Sequence, residues 1–458
     1  MTADREAIFQ GSIGFFWLDP DPVRLGREPL RGFVRRLEDG TLDVECLLED
    51  GLDDLLSDHE DPLPRAAYGA LSEGTVLLTD FSSRQVSRRF GGRASVVRFN
   101  ARTIVLNVAH ENVALDRAVE ARLFLPGLAS WMGTEALREI RDEDESGRLR
   151  GHTVSVSAVP EQSAVLSSGM AMISGAHWEV RPVGELRTLD APVAIGIRCS
   201  RSRRLRELVD PLARVQDLLS IIMGGHVTGT GGRVRFRGDP LPQTHPTFWN
   251  SQLMHRPSNI DAASSRGFPL LDLDDLGGLA GFARWVKLSR EHPLVYSALA
   301  ARYRIGHSLA TSALMESAAG VETWVSSHRR SGSAWASADG RHAVALGQRV
   351  GKPFREWVGG DVEDWESCFF GTYNALKHEP GRVPNGRTAA LLGESGYLLL
   401  LASVLDRVAG SKAPSRAIFA SLRGLRIGAD LREVMASQTA GVVRRPPERR
   451  RRRGQPKR

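Results

Sequence analysis

The sequence predicts an α+β chain of two domains: a β-rich, sandwich- or barrel-like N-terminal domain, then an all-α helical bundle. Three observations carry this. At 458 residues the chain exceeds one ordinary domain of about 100 to 200 residues. Its first half holds short segments rich in β-branched and aromatic residues, punctuated by Asp-Pro, Asp-Gly and Gly-Gly. Beyond residue 279 the apolar residues recur at helical spacing.

In order, GFFWLD (14–19), LRGFVRRL (30–37), TLDVECLLE (41–49), TVLLTDFSS (75–83) and ASVVRFNARTIVLNV (94–108) read as strands. Leu42, Val44 and Cys46 alternate with Asp43 and Glu45, as a half-buried strand requires, and Glu38-Asp39-Gly40 before them reads as a hairpin turn. Strands resume at GHTVSVSAVP (151–160), HWEVRPV (177–183) and APVAIGIRCS (191–200). The period then changes. Leu205, Leu208, Val209, Leu212, Val215, Leu218, Leu219 and Ile222 form one face of a helix that Gly224-Gly225 ends. GGHVTGTGGRVRF lacks the Lys-Ser/Thr and the following helix of a phosphate loop, so a hairpin between HVTG and RVRFRG is expected.

Four helical segments follow, at GFARWVKLSREHPLVYSALAARYRIG, SLATSALMESAAGVETWVSSHRR, EDWESCFFGTYNALKH and RTAALLGESGYLLLLASVLDRVAG. In the second, Leu309, Ala313, Met315, Val321 and Trp324 are expected to face a core. The fourth is apolar around most of its circumference, so it is central or lies at a dimer interface. The Ser/Gly/Ala-rich connection 327–350 reads as a mobile loop. The expected domains are 1–226, a linker with a small β excursion at 227–278, a helical domain at 279–410, and a C-terminal extension at 411–458.

Composition narrows the function classes. The chain is 41% hydrophobic and 25% charged, a globular balance. No apolar run reaches about eighteen residues and MTADREAIFQ has no secretory pattern, so a cytoplasmic protein away from membranes is expected. Cys46, Cys199 and Cys368 form no C-x-x-C pair, which speaks against a disulfide framework or a cysteine zinc site. The net charge is +7, but Arg444 to Arg458 alone carries +8 and the rest sums to −1. That tail, RRPPERRRRRGQPKR, is too polar to fold and predicts disorder with sequence-independent phosphate affinity. Asp272, Asp274 and Asp275 read as a solvated turn, and His110, His226 and His292 as surface or packing residues. There is no G-x-S-x-G, H-E-x-x-H or Walker pattern.

GSIGFFWLDP, LRGFVRRLEDGTL, FARWVKLSREHPLVY, ESAAGVETWV and YNALKHEPG, in this order, resemble the ApeA-like proteins. These pair an ApeA N-terminal domain with a HEPN helical domain. The resemblance spans about Ile13 to Ala409 and implies antiphage defence of the abortive-infection type. It further implies a metal-independent, cofactor-free RNase, toxin-like, acting on RNA such as tRNA as a homodimer through the helical domain, and answering a phage-derived trigger. Active HEPN domains carry a motif often written R-N-x-x-x-H. Here His378 matches the His and Asn374 the Asn, while the Arg position holds Tyr373. An imidazole can move the proton of a ribose hydroxyl or a leaving oxygen, and Asn can position. A phenol is uncharged near pH 7 and cannot replace a guanidinium on phosphate.

Lys377, Arg302 and Arg304 are the RNA-binding candidates for the missing charge. Arg302-Tyr-Arg-Ile-Gly-His307 also fits the Arg-to-His spacing, but lies early in the helical half where the family motif lies late. Two readings stay open. In one, His378 is an RNase acid or base; in the other, the chain is a non-catalytic HEPN-derived RNA-binding and dimerisation module, with His378 only ending its helix.

Overall fold

The computed structural model describes residues 5–18, 29–49, 63–88, 94–109, 117–134, 136–157, 159–176, 179–183, 186–237, 246–263, 269–306, 308–330, 342–379, 381 and 384–442. The chain forms two compact units, Met1–Glu291 with Tyr303–Gly306, and His292–Arg302 with His307–Arg458. The arginine tail and His110 lie outside the described residues.

The first unit opens with helix α1 (Arg5–Gln10) and strands β1 (Ser12–Leu18), β2 (Leu30–Arg36), β3 (Leu42–Glu49), β4 (Ala66–Leu71), β5 (Gly74–Arg88) and β6 (Ala94–Leu106). They pair antiparallel in the order β6-β3-β2-β1-β4-β5, and β5 pairs β6 again to close a six-strand barrel. Of the two β architectures expected, the barrel is the one formed. A small barrel fills its interior with alternate side chains: Phe16, Val34, Leu42, Val44, Cys46, Val76, Leu78, Val97 and Phe99 form this core, with Ile8 and Phe9 of α1. Room for Phe16 comes from Gly32 and Gly69, where an added Cβ would sit 2.7 and 3.0 Å from its ring. The expected turn forms as well. Asp39 Oδ1 accepts from Thr41 N at 2.8 Å, and Gly40 takes φ +80°.

Strand β6 leads the sheet out of the barrel. Its last residues pair Thr247–Asn250 (β16), which pairs Gly231–Arg235 (β15), then β7 (Arg117–Phe124), β14 (Val193–Arg204), β11 (Met170–Ala176) and β10 (Gln162–Ser167). Two hairpins stand apart, β8 (Leu137–Glu143) with β9 (Leu149–Val156), and β12 (Glu179–Val183) with β13 (Leu186–Asp190). Helix α3 (Leu205–Met223) ends at Gly224 in the left-handed conformation, as its sequence predicts. The short helices α2 (Leu128–Trp131) and α4 (Ser251–Met254) and the longer α5 (Gly278–Glu291) complete the unit.

HVTG does not form the expected hairpin. His226 makes one parallel bridge to Ala262, because side chains of α3 claim the backbone of Val227: Ser220 Oγ accepts from its N–H and Gln216 Nε2 donates to its carbonyl. Residues 227–278 hold β15 and β16, which stand between β6 and β7 in the main sheet.

From α6 (Pro293–Arg304) the chain continues through α7 (Ala310–Arg330), α8 (His342–Val350), α9 (Lys352–Val358), α10 (Val362–His378), α11 (Gly386–Ala409), α12 (Ala413–Ala420) and α13 (Leu422–Val442). Helix α11 is long and apolar enough to cross a membrane, yet 78% of that stretch is buried inside the protein. It lies against α7 at Gly320 and Gly393, where an added Cβ would meet Leu400 at 2.7 Å and Leu314 backbone at 3.0 Å. Trp324 and Trp365 donate to Ser403 and Ser395 of α11 at 3.0 and 2.9 Å. Two further sequence expectations are corrected. Leu309 is 78% exposed rather than in the core. Residues 342–350 are helix, with Ala343, Val344, Ala345, Leu346 and Val350 buried, so the loop expected there does not form; residues 331–341 lie outside the described residues. The extension after 410 begins with α12 and α13, whose Ile418, Phe419, Leu431 and Val434 are buried.

Candidate functional site

Helix α10 carries the stretch singled out by sequence. Asp361 caps its start, accepting from Glu363 N at 2.7 Å and Asp364 N at 3.3 Å, and Lys377 and His378 complement the dipole at its end. Val362, Trp365, Phe369, Phe370 and Tyr373 are its buried stripe. Trp365 stacks on Phe369 at 5.0 Å, Phe370 sits edge-on to Phe369 at 5.1 Å, and Tyr373 sits edge-on to Phe370 at 5.6 Å. Tyr373 is therefore a core residue, 4% exposed, and its hydroxyl donates to Glu322 Oε2 of α7 at 3.3 Å.

Asn374 and His378, one helical turn apart, share an exposed face. Neither side chain is hydrogen-bonded to another described residue, so both are open to a ligand. Exposed Lys377 extends over the Tyr373 ring at 5.5 Å. The last two turns thus bring together a proton carrier, an amide and an ammonium.

Arg302 and Arg304 are engaged elsewhere. Arg302 pairs with Glu394 of α11 at 3.0 Å and lies over the Tyr397 ring at 3.4 Å, while Arg423 holds the same Glu394 at 2.6 Å. Arg304, in the first unit, pairs with buried Asp217 and donates to Gln216 Oε1, the Ala213 carbonyl and the Gln252 carbonyl. His307 lies outside the described residues.

A cationic cavity in the helical unit was not foreseen. It measures about 620 Å³ and is lined by Trp324, Arg349, Ser403, Asp406, Arg407, Gly410, Ser411 and Lys412. Among the described lining residues three cations accompany one carboxylate; Lys412 pairs with Asp406 at 2.9 Å and donates to the Arg349 carbonyl at 2.7 Å. His328 supports Arg407. Its Nδ1 donates to the Trp324 carbonyl at 2.7 Å, which leaves Nε2 to accept from Arg407 Nη1. Burial, aided by the Arg407 charge, pushes the His328 imidazole down to about 4. Glu322 and Trp324 lie about 200° apart around α7, so the Tyr373 contact and this cavity use different faces of that helix. The signal was diffuse: these residues come from three separate stretches with no fixed spacing.

In the first unit, Glu120 of β7 is 5% exposed and accepts from Arg198 and Arg122 at 2.6 Å and from Arg235 at 3.1 Å. Burial opposes its ionisation, and the hydrogen bonds and charges of Arg198 and Arg122 overcome that, holding its carboxyl at about 2. This network ties three neighbouring strands and is structural. Among the described residues no three His, Cys, Asp or Glu side chains gather as a metal site requires.

The family described as ApeA N-terminal domain 1 matches residues 11–285, more than half of the chain, and spans the barrel, its sheet extension, α3 and most of α5. No curated protein and no solved structure matches. The chain belongs to the ApeA N-terminal domain 1 family and is an antiphage defence protein.

Proposed function

We propose that this protein acts by abortive infection, with a HEPN-like helical domain at 279–410 that cleaves RNA, tRNA among its substrates, at the C-terminal end of α10. The observation that carries the reading is the pair Asn374 and His378, exposed on one helix face with side chains that form no hydrogen bond among the described residues. In the reaction a ribose 2′-oxygen attacks the adjacent phosphorus and the 5′-oxygen leaves, giving a 2′,3′-cyclic phosphate. One proton leaves the nucleophile and one joins the leaving oxygen. His378 of one protomer and the same residue of a second copy in a cytoplasmic homodimer supply these two transfers. Lys377 provides a point charge for the phosphate and Asn374 orients it.

Burial of Tyr373 favours a second reading, an RNA-binding module without catalysis. The place of the motif cation is taken by a core phenol, and the α7–α11 cavity offers phosphate contacts instead. Induced expression in bacteria separates the two. Under the first reading growth arrests with fragmented tRNA, and Asn374→Ala or His378→Ala relieves both effects. Intact tRNA in arrested cells, with relief by Arg407→Gln and not by His378→Ala, would support the second.

A further inference from the structure

We propose that the hairpin of β8 and β9 is a self-association surface, on which the open edge of β8 pairs antiparallel with β8 of a second copy about a two-fold axis at Ile140. Every residue of β8 after half-buried Leu137 is exposed, and β9 is exposed except at half-buried Gly151 and Val156. Among the described residues the two strands pair only with each other. A two-stranded hairpin is marginal alone and gains from further strands, and its free edge is a row of unpaired backbone groups that can accept one. Ile140 and Val154, 49% and 44% exposed, leave apolar surface on both faces of the arm.

The backbone fixes which residues of β8 face that edge. Ser157 N donates to the Ala136 carbonyl at 2.7 Å, and these two residues extend the register in which Leu137 opposes Val156. Bonded and unbonded pairs alternate along an antiparallel ladder. Arg138, Ile140 and Asp142 therefore direct their backbone groups to β9, while Glu139 and Arg141 turn theirs outward. The ladder is regular from Leu137 to Asp142 and shifts only between Asp142 and Glu143. At the tip, Asp144 Oδ1 accepts from Ser146 N and Arg148 N, both at 2.9 Å, which holds the turn closed.

The charges select one pairing. An antiparallel copy must set outward-facing residues against outward-facing ones, so the two-fold axis falls on a residue. At Arg138, Glu139, Arg141 or Asp142 the axis sets that charge against its own copy, and at Leu137 or Glu143 the two strands overlap by one residue. At Ile140 all 7 residues overlap. Glu139 then opposes Arg141 and Arg138 opposes Asp142, each pair twice, with no like charges opposed. Ile140 meets its own copy at an unbonded pair, where side chains approach most closely. Within the chain Glu139 lies 3.5 Å from His152, whereas among the described residues Arg138, Arg141 and Asp142 make no ion pair. Charges on an edge ordinarily keep other strands away; this order of signs admits a second copy of itself. The contact lies in the first unit, so it is separate from pairing through the helical domain.

The test is oxidative crosslinking of the full chain. In Ile140→Cys the axis places the two thiols opposite one another, with Cβ atoms about 4.5 Å apart, within reach of a disulfide. A copper–phenanthroline oxidant is expected to give a disulfide-linked dimer on a non-reducing gel, above any formed by the unsubstituted chain. Thr153→Cys, exposed on the same face but one strand farther from the axis, should give about tenfold less. Adding Glu139→Arg to Ile140→Cys turns two opposite-charge cross-strand pairs into like ones and should lower the yield about tenfold. Adding Arg141→Glu to that variant exchanges both signs and should restore the yield. All four positions are exposed, so circular dichroism and melting should stay unchanged. No dimer from Ile140→Cys, an equal yield from Thr153→Cys, a yield that Glu139→Arg leaves unchanged, or one that Arg141→Glu fails to restore would each overturn the proposal.

Discussion

His378 and Tyr373 occupy the same sequence motif but opposite physical environments. Tyr373 closes the buried aromatic stripe of α10, so its hydroxyl serves the α7 contact. Tyr373→Phe is expected to lower stability by about 1 kcal/mol through the lost bond to Glu322, and to change RNA cleavage less than twofold, measured by urea unfolding and gel assay. Lys377→Ala, by contrast, should lower cleavage on the order of a hundredfold if the ammonium serves the phosphate. The pattern YNALKH pointed to this place in the chain, yet residue spacing alone did not reveal which side chain turns inward. His328 gives a separate prediction. A histidine ordinarily titrates near 6.5, and this one is pushed to about 4. Between those values the unfolded chain takes a proton that the fold refuses, so stability is full above about 6.5 and falls as pH drops toward 4. His226 adds a loss of the same sign. The urea midpoint should fall between pH 7 and pH 5, and fall less in His328→Gln.

Two elements show where local sequence sufficed and where it did not. Alternation in β3 and the helical period of α3, ended by Gly224, are local signals, and both elements form within a residue or so of their expected bounds. Strand β4, AAYGAL, lacks a β-branched run and was not anticipated; its place is set by pairing with β1 and β5. Helix α8 was hidden by the Ser/Gly/Ala-rich residues before it. Helix α11 was expected to be central or at a dimer interface, and the buried residues around it make it the core of its unit. Its glycines permit this packing. Replacing Gly by Ala in a helix ordinarily stabilises by about 1 kcal/mol, but at Gly396 the new methyl would sit 2.5 Å from the Phe369 ring. Gly396→Ala should therefore destabilise by about 1 to 3 kcal/mol, read as a lower melting temperature. A higher one would show that Phe369 moves aside freely.

For the whole molecule, the two-domain α+β organisation could be read from the change of apolar period, whereas closure of the barrel could not. It depends on β6 pairing β3, with Leu42 opposite Ala101, and on β1 pairing β4, with Gly14 opposite Leu71, contacts between strands far apart in sequence. The cationic cavity escaped sequence reading for the same reason: its residues converge only in the fold. If the helical domains meet as a homodimer, light scattering should give twice the protomer mass, and dilution should lower specific cleavage because two copies of His378 share the reaction. The most direct test of the account is cleavage of total RNA and tRNA by the purified full chain in EDTA, beside His378→Ala. The account predicts cleavage that survives chelation, leaves 2′,3′-cyclic ends, and disappears in the variant. Equal cleavage by the two proteins, or RNA bound by both and cut by neither even with lysate of infected cells, would contradict it.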